Sequence, residues 1–226
     1  MNPHRRPTAA RGHPTNGNQA LRQPTILLIP GLNGSGPDHW QSRWARDIDN
    51  AHTVELGLWN DPQRSPWINQ LNLAIRAIDG PVVLVAHSLG CLVATWWTKF
   101  EQEENTSKVT GALLVAPPEV DFFPRDDRVG RFAPMPVDPL PFPSILVASQ
   151  NDPWMGFRTA KLLARQWGSE LVDLGEAGHI NADSGLGDWP YGKSLLARLL
   201  PPGTVEDRTA PTGSGERPSY SAIAHR

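Results

Sequence analysis

Six short apolar runs recur along the chain: Thr25-Ile26-Leu27-Leu28-Ile29, Val54-Glu55-Leu56, Val82-Val83-Leu84-Val85-Ala86, Ala112-Leu113-Leu114-Val115-Ala116, Ile145-Leu146-Val147-Ala148-Ser149 and Glu170-Leu171-Val172-Asp173-Leu174. Most are continuous rather than alternating, which is how strands buried on both faces of a parallel sheet read. Between them the spacing changes to that of helices. Ser35-Gly36-Pro37-Asp38 has the form of a capping box with proline at the first helical position, and predicts a helix through His39, Trp40 and Trp44 to about Asp49. Ser65-Pro66 opens a second, with Trp67, Leu71, Ala74, Ile75 and Ile78 on one face. A third carries Leu92, Ala94 and Trp97 and ends in the charged loop Glu101 to Ser107. A fourth carries Phe157, Ala160, Leu163, Ala164 and Trp167, and a last runs from about Pro190 to Leu200. This alternation predicts an α/β fold: an open, mostly parallel sheet of about six strands with helices on both faces. Ligands in such folds bind beyond the carboxyl ends of the strands.

Two kinds of segment escape the pattern. Pro117 to Pro143 holds eight prolines interleaved with Phe122, Phe132 and Met135 and shows no period. Loops of this length often cover a site, and the same composition also serves a wandering surface crossover. Residues 1–23 and 201–226 are rich in Pro, Gly, Arg, Ser and Thr without an apolar period, and are expected to be disordered tails around one domain over 24–200.

The third strand ends in Ala86-His87-Ser88-Leu89-Gly90, a strand-turn-helix junction with Ser88 at its apex. That is the setting of the nucleophile elbow G-x-S-x-G, with Ala86 at the first glycine position. Both flanking positions must be small where strand and helix backbones pass closely, and one methyl group is the smallest departure from that demand. A βα loop with Ser88 as an ordinary N-cap would read alike over these five residues. The remainder of the chain favours the elbow, because Asp152 and His179 also follow strand ends, in the chain order Ser, Asp, His of hydrolase triads.

Serine needs a base within hydrogen-bond reach, and the imidazole needs an acceptor on its other nitrogen to fix its tautomer. His179 is the expected base and Asp152 the expected orienter, with Asp121 the competing acid. Asp152 is preferred because it stands three residues past a strand end. The Leu89 N–H, at a helix N-terminus, is one expected oxyanion donor. Gly31-Leu32-Asn33-Gly34 offers the second, Leu32 ahead of Asn33. Asn33, Trp154 and Met155 are candidates for the substrate pocket. His87 is expected to point away from the reacting hydroxyl, and His39 to pack or cap a helix.

Composition narrows the function further. Taking the seven basic and three acidic residues of the tails from totals of 21 and 23 leaves 14 against 20 in residues 24–200. An acidic body argues against nucleic acid as a partner. Neither an 18-residue apolar run nor a secretory h-region is present, so neither a membrane span nor export is expected. The single cysteine, Cys91, reads as core packing and fits a reducing, cytoplasmic setting. With no H-E-x-x-H, cysteine pair or phosphate loop, the chain calls for no metal or other cofactor.

With these residues in place the chain resembles the small single-domain serine hydrolases related to the retinoblastoma-binding serine hydrolase, a family with many bacterial members. The matching stretches are Ile29-Pro30-Gly31 with Asp38-His39-Trp40, Ala86-His87-Ser88-Leu89-Gly90, Asn151-Asp152-Pro153, Gly178-His179-Ile180-Asn181 and Ser184-Gly185-Leu186-Gly187-Asp188-Trp189-Pro190. The resemblance implies an α/β-hydrolase fold without a large cap domain, a Ser-Asp-His triad and hydrolysis of small esters. Pocket-protein binding does not carry over, since Leu89-Gly90-Cys91-Leu92-Val93 lacks the acid of L-x-C-x-E. The expected activity is therefore hydrolysis of a small-molecule ester. An amidase or peptidase using the same triad is the alternative, as is a binding protein on a hydrolase scaffold with a protein partner that the sequence does not identify.

Overall fold

A computed structural model describes residues 23–201 apart from residue 123. Apart from residues 23 and 201, the expected tails lie outside the described residues. Six strands, β1 (Thr25–Ile29), β2 (Ala51–Thr53), β3 (Val82–His87), β4 (Val109–Val115), β5 (Ser144–Ala148) and β6 (Glu170–Asp173), form one sheet in the order β2-β1-β3-β4-β5-β6. Every pairing is parallel. Among the described residues seven α-helices accompany them, α1 (Trp40–Asp47), α2 (Arg64–Arg76), α3 (Leu89–Phe100), α4 (Glu103–Thr106), α5 (Asp127–Gly130), α6 (Phe157–Trp167) and α7 (Pro190–Ala197), with one turn of 3-10 helix at Ala182–Ser184.

The strands sort their apolar side chains by parity. Leu27, Ile29, Leu84, Ala86, Leu114 and Leu146 join the core with Trp67 and Leu71 of α2, Leu92 and Trp97 of α3, and Leu163 and Trp167 of α6. Ile26, Leu28, Val83, Val85, Leu113 and Val147 point the other way, onto Trp40 and Trp44 of α1 and Leu195 and Leu196 of α7. Continuous apolar runs thus serve two layers at once, with successive residues on opposite faces.

Three expectations need correction. The edge strand is Ala51–Thr53 rather than Val54 to Leu56. The Val54 N–H donates to the Leu28 carbonyl at 2.9 Å as the chain leaves the sheet, and the Val54 and Leu56 side chains are buried beside α2. Helix α1 begins at Trp40, because Ser35 turns its hydroxyl to the Gln41 side chain while His39 Nδ1 accepts from the Gln41 N–H at 3.1 Å. The Pro117 to Pro143 segment contains α5 and is anchored in the core by Val129 and Phe132. The Trp96 indole donates to the Phe132 carbonyl at 2.9 Å and the Trp167 indole to the Pro136 carbonyl at 2.7 Å.

Candidate active site

The β3–α3 junction is strained at one residue. Ser88 has φ 53° and ψ −124°, a conformation that costs a non-glycine residue about 1–3 kcal/mol and persists only where the surroundings impose it. They do so here. The Ser88 N–H donates to the Val115 carbonyl at 2.9 Å, Gly31 packs directly on the Ser88 turn, and Gly90 packs on the Ile29 and Pro30 carbonyls, each so closely that an added methyl group would meet occupied space. The result is a hydroxyl held at the carboxyl end of the sheet.

His179 Nε2 lies 2.8 Å from Ser88 Oγ, and His179 Nδ1 lies 3.0 Å from both carboxylate oxygens of Asp152. A carboxylate only accepts, so Nδ1 carries the proton and Nε2 presents its lone pair to the Ser88 hydroxyl. The Asp152 side chain is 3% exposed and the His179 ring 10%. The Trp154 N–H donates to Asp152 Oδ1 at 2.8 Å, fixing the carboxylate as well as its rotamer. Asp121, the competing acid, is spent on the Met135 N–H at 2.9 Å, within the proline-rich segment.

The loop that carries His179 is tied to its neighbours at almost every residue. Asn151 Oδ1 accepts from the Gly178 N–H at 2.7 Å, and Ser149 Oγ accepts from the Ala177 N–H at 2.9 Å. His87 Nε2 donates to the His179 carbonyl at 3.0 Å, and the Trp40 indole donates to the Ile180 carbonyl at 2.9 Å. His87 thus turns its ring to the backbone of His179 rather than to the Ser88 hydroxyl. The same loop closes on α1: Trp40 packs edge-on against Trp189 with ring centres 4.9 Å apart, and the Trp44 indole donates to the Asp188 carbonyl.

A cleft of about 360 Å³ opens beside Ser88, lined on one side by Leu32, Asn33, Gly34 and His39. Asp126, Arg128 and Val129 of the proline-rich segment supply a second wall, and Trp154, Asn181 and Ala182 a third. The second wall is locked by the Asp126–Arg128 ion pair at 2.6 Å and by an Arg128 N–H to the Asn60 carbonyl at 2.9 Å. Trp154 stands 5.4 Å from the His179 ring, measured between centres. Met155, the other pocket candidate from the same turn, is instead buried in the core on the α6 side. The Asn33 N–H is committed to the Trp59 carbonyl at 2.7 Å. Sequence reasoning allowed that the proline-rich segment covers a site but singled out neither Asp126 nor Arg128, since nothing in a segment without a period signals which residues reach a cleft.

Three imidazoles crowd the base of this cleft. The His39 and His87 ring centres are 4.7 Å apart, and those of His87 and His179 5.1 Å. Burial, aided by repulsion from His179, lowers the pKa of His39 to about 4. Burial also drives His87 well below the ordinary histidine value, reinforced by both neighbouring imidazoles and opposed by its bond to the His179 carbonyl. Both rings are therefore held neutral by the fold, and the unfolded chain binds more protons than the native one between pH 6.5 and about 4. Stability should be complete above pH 6.5 and fall through that window, with His39 alone responsible for about 3 kcal/mol. Urea unfolding midpoints measured from pH 7.5 to 4 check this. A flat profile would refute it, and His39→Asn should make the decline shallower.

Among the described residues no cluster of His, Cys, Asp and Glu is arranged to hold a metal ion, and no helix is long and apolar enough to cross a membrane. Comparison with solved structures finds a YdeN-like hydrolase of Pectobacterium atrosepticum that is 38% identical, with a TM-score of 0.69 over 80% of this chain and 94% of that one. YdeN of Bacillus subtilis, a protein named as a hydrolase, is 23% identical over 76% of this chain and 93% of its own length. Esterase 2 of Thermogutta terrifontis, at 16% identity and a TM-score of 0.59 over 84% of this chain and 89% of that one, shares the fold. The family model described as serine hydrolase matches residues 26–198, which is nearly all of the described chain. With its parallel sheet and flanking helices, this chain belongs to the serine hydrolase family of α/β hydrolases.

Proposed function

We propose that the chain hydrolyses small carboxylic esters through an acyl-enzyme formed on Ser88. The observation that carries this reading is the unbroken relay from Asp152 through His179 to Ser88 Oγ, at 3.0 and 2.8 Å. Ser88 attacks the acyl carbonyl as His179 takes its proton, and Asp152 stabilises the imidazolium that results. The N–H of Leu89 opens α3 and has no carbonyl one helical turn behind it, so it is free to meet the developing oxyanion. The Leu32 N–H is its partner, since Asn33 is engaged elsewhere and the preceding Gly31 packs directly on Ser88. His179 then returns the proton to the leaving oxygen, and a water molecule releases the acyl group by the same steps in reverse.

A small ester suits the cleft. Its volume is about 360 Å³, near the lower end for ligand pockets, and Leu32, Val129, Trp154 and Ala182 give it apolar surface. The esterase from Thermogutta terrifontis supports only the fold at its level of identity, so the preference for esters stands on the site itself. We place one catalytic domain over residues 24–200, and a small molecule rather than nucleic acid in its cleft.

Two measurements test the reading. A fluorophosphonate should label wild type stoichiometrically, with the adduct mapped to Ser88 by peptide mass spectrometry. A matched ester and amide, identical but for the scissile heteroatom, should show the ester preferred by at least about 10²-fold in kcat/KM, because the amine is the poorer leaving group. Absence of labelling would end the nucleophile assignment, and equal rates on the pair would shift the reading to an amidase.

A further inference from the structure

His39 has a ring nitrogen that the fold does not use. Its Nδ1 accepts from the Gln41 N–H at 3.1 Å and so caps α1. Accepting through Nδ1 puts the proton of the neutral ring on Nε2. That Nε2 is buried and has no hydrogen-bond partner among the described residues, while the residue as a whole is 4% exposed. Buried donors are almost always paired, and leaving one unpaired carries a desolvation penalty that folding alone does not recover. The unpaired donor also lies in a telling place, since His39 lines the same cleft as Ser88 and His179.

On the reading of Ser88 as nucleophile, we infer that the His39 Nε2–H donates a hydrogen bond to a second, uncharged oxygen of the substrate, one beyond the scissile ester. His39 is then a specificity residue. It selects esters that carry a hydroxyl, ether or carbonyl oxygen on the acyl or alcohol side over purely alkyl esters of equal size. Two features fit it for that task. The depressed pKa keeps the ring neutral near pH 7, so one tautomer persists and the cleft gains no charge. The helix cap holds the ring from the opposite nitrogen, so orienting the donor costs the bound complex little further entropy.

The Asn33 side chain also lines the cleft but is exposed, so water satisfies it and it carries no penalty for want of a protein partner, while other polar groups of the cleft are engaged. Arg128 is paired with Asp126 and with the Asn60 carbonyl, and the His87 Nε2 is engaged by the His179 carbonyl. Asn181 accepts from the Asp183 N–H at 3.2 Å as the cap of the next turn. The His39 donor stands apart from these in having its whole capacity open.

Two substitutions separate the donor from the cap. His39→Asn keeps an acceptor near the Nδ1 position, and asparagine is a favourable N-cap, but it has nothing at Nε2. His39→Gln places an amide N–H near Nε2 and gives up the short cap. The substrates are two isosteric pairs, 4-nitrophenyl methoxyacetate with 4-nitrophenyl butyrate, and 2-methoxyethyl acetate with butyl acetate, each normalised to its hydroxide-catalysed rate. In wild type the kcat/KM ratio within at least one pair should favour the oxygen-bearing ester. His39→Asn should lower that ratio about tenfold, the ordinary worth of one hydrogen bond to a neutral acceptor, and His39→Gln should retain most of it. The pair that responds identifies the side of the ester being read. A ratio unchanged in His39→Asn for both pairs overturns the inference, as does an equal fall in both variants, which would trace the effect to loss of the ring as a whole, or a fall in His39→Gln alone, which would trace it to the cap. If wild type cleaves none of the four esters, the hydrolase reading itself has failed, an outcome distinct from either.

Discussion

Ser88→Ala is expected to reduce kcat for a small ester by about 10⁶-fold and Asp152→Asn by about 10⁴-fold, with the double variant no worse than Ser88→Ala alone. On the proposed mechanism the three side chains act as one unit, so deleting Ser88 removes what the other two contribute. Asp152→Asn acts by a subtler route. Its amide can still accept from the Trp154 N–H, so the local fold survives. The other face of that amide, however, presents an N–H to His179 Nδ1 and favours the tautomer whose Nε2 carries the proton and cannot accept from Ser88. Turnover of 4-nitrophenyl acetate, measured with active-site titration to exclude contaminating wild type, checks both values. Among the described residues lining the cleft there is no hydroxyl or thiol besides that of Ser88. Cys91, one turn along α3, is buried with its Sγ 3.4 Å from the carbonyls of Ala86 and Val115, and burial pushes its thiol far up, away from the thiolate. Wild-type activity in Ser88→Ala would overturn the nucleophile assignment, and a scaffold that only binds would show no turnover in wild type or in any variant.

What sequence reasoning reached and what it missed divide along a physical line. The four strands with two sheet partners were legible because continuous β-branched and aliphatic residues have few other uses at that length, and β6, at one edge, through Leu171, Val172 and the following Leu174. The edge strand Ala51–Thr53 was not. Of its three side chains only Ala51 is buried, so it carries hardly any apolar signal, and the Val54 and Leu56 that drew the eye belong to the chain leaving the sheet. Ser88, Asp152 and His179 were legible for a topological reason: in a parallel sheet every strand ends on the same rim, so polar residues just past strand ends converge even when 64 or 27 positions apart. The cleft walls were not, because they depend on partners remote in sequence. Asp126 and Arg128 are held at the cleft by partners remote in sequence, with Arg128 bound to the Asn60 carbonyl and two indoles bound to the Phe132 and Pro136 carbonyls of the same segment. His39 was readable as a cap, while its idle second nitrogen could be seen only once burial was known.

The elbow itself makes the sharpest structural prediction, because its two flanking small residues are not equivalent. Ala86 stands at the first glycine position, and its methyl is fully buried in the core without conflict. Gly90 has no such room: a Cβ there would lie 2.3 Å from the Ile29 carbonyl oxygen, 2.7 Å from that of Pro30 and 2.9 Å from the Ile29 carbonyl carbon. These are backbone atoms at the end of β1, inside the sheet, and no rotamer change relieves them. Gly90→Ala must therefore move α3 away from β1, and with it the Ser88 turn and the Leu89 N–H. Overpacking of this kind is expected to cost about 3 kcal/mol or more, a fall of about 6–12 °C in the thermal midpoint for a domain of this size. Gly156→Ala is the matched control, since nothing lies within 4 Å of its added methyl and its backbone is extended, and it should stay within about 1 kcal/mol of wild type. Scanning calorimetry on both variants, followed by fluorophosphonate labelling of whatever Gly90→Ala folds, separates a stability loss from a misplaced hydroxyl. A Gly90→Ala midpoint equal to wild type would mean that the helix can ride off the strand at no cost, and the close approach that strains Ser88 would lose its structural cause.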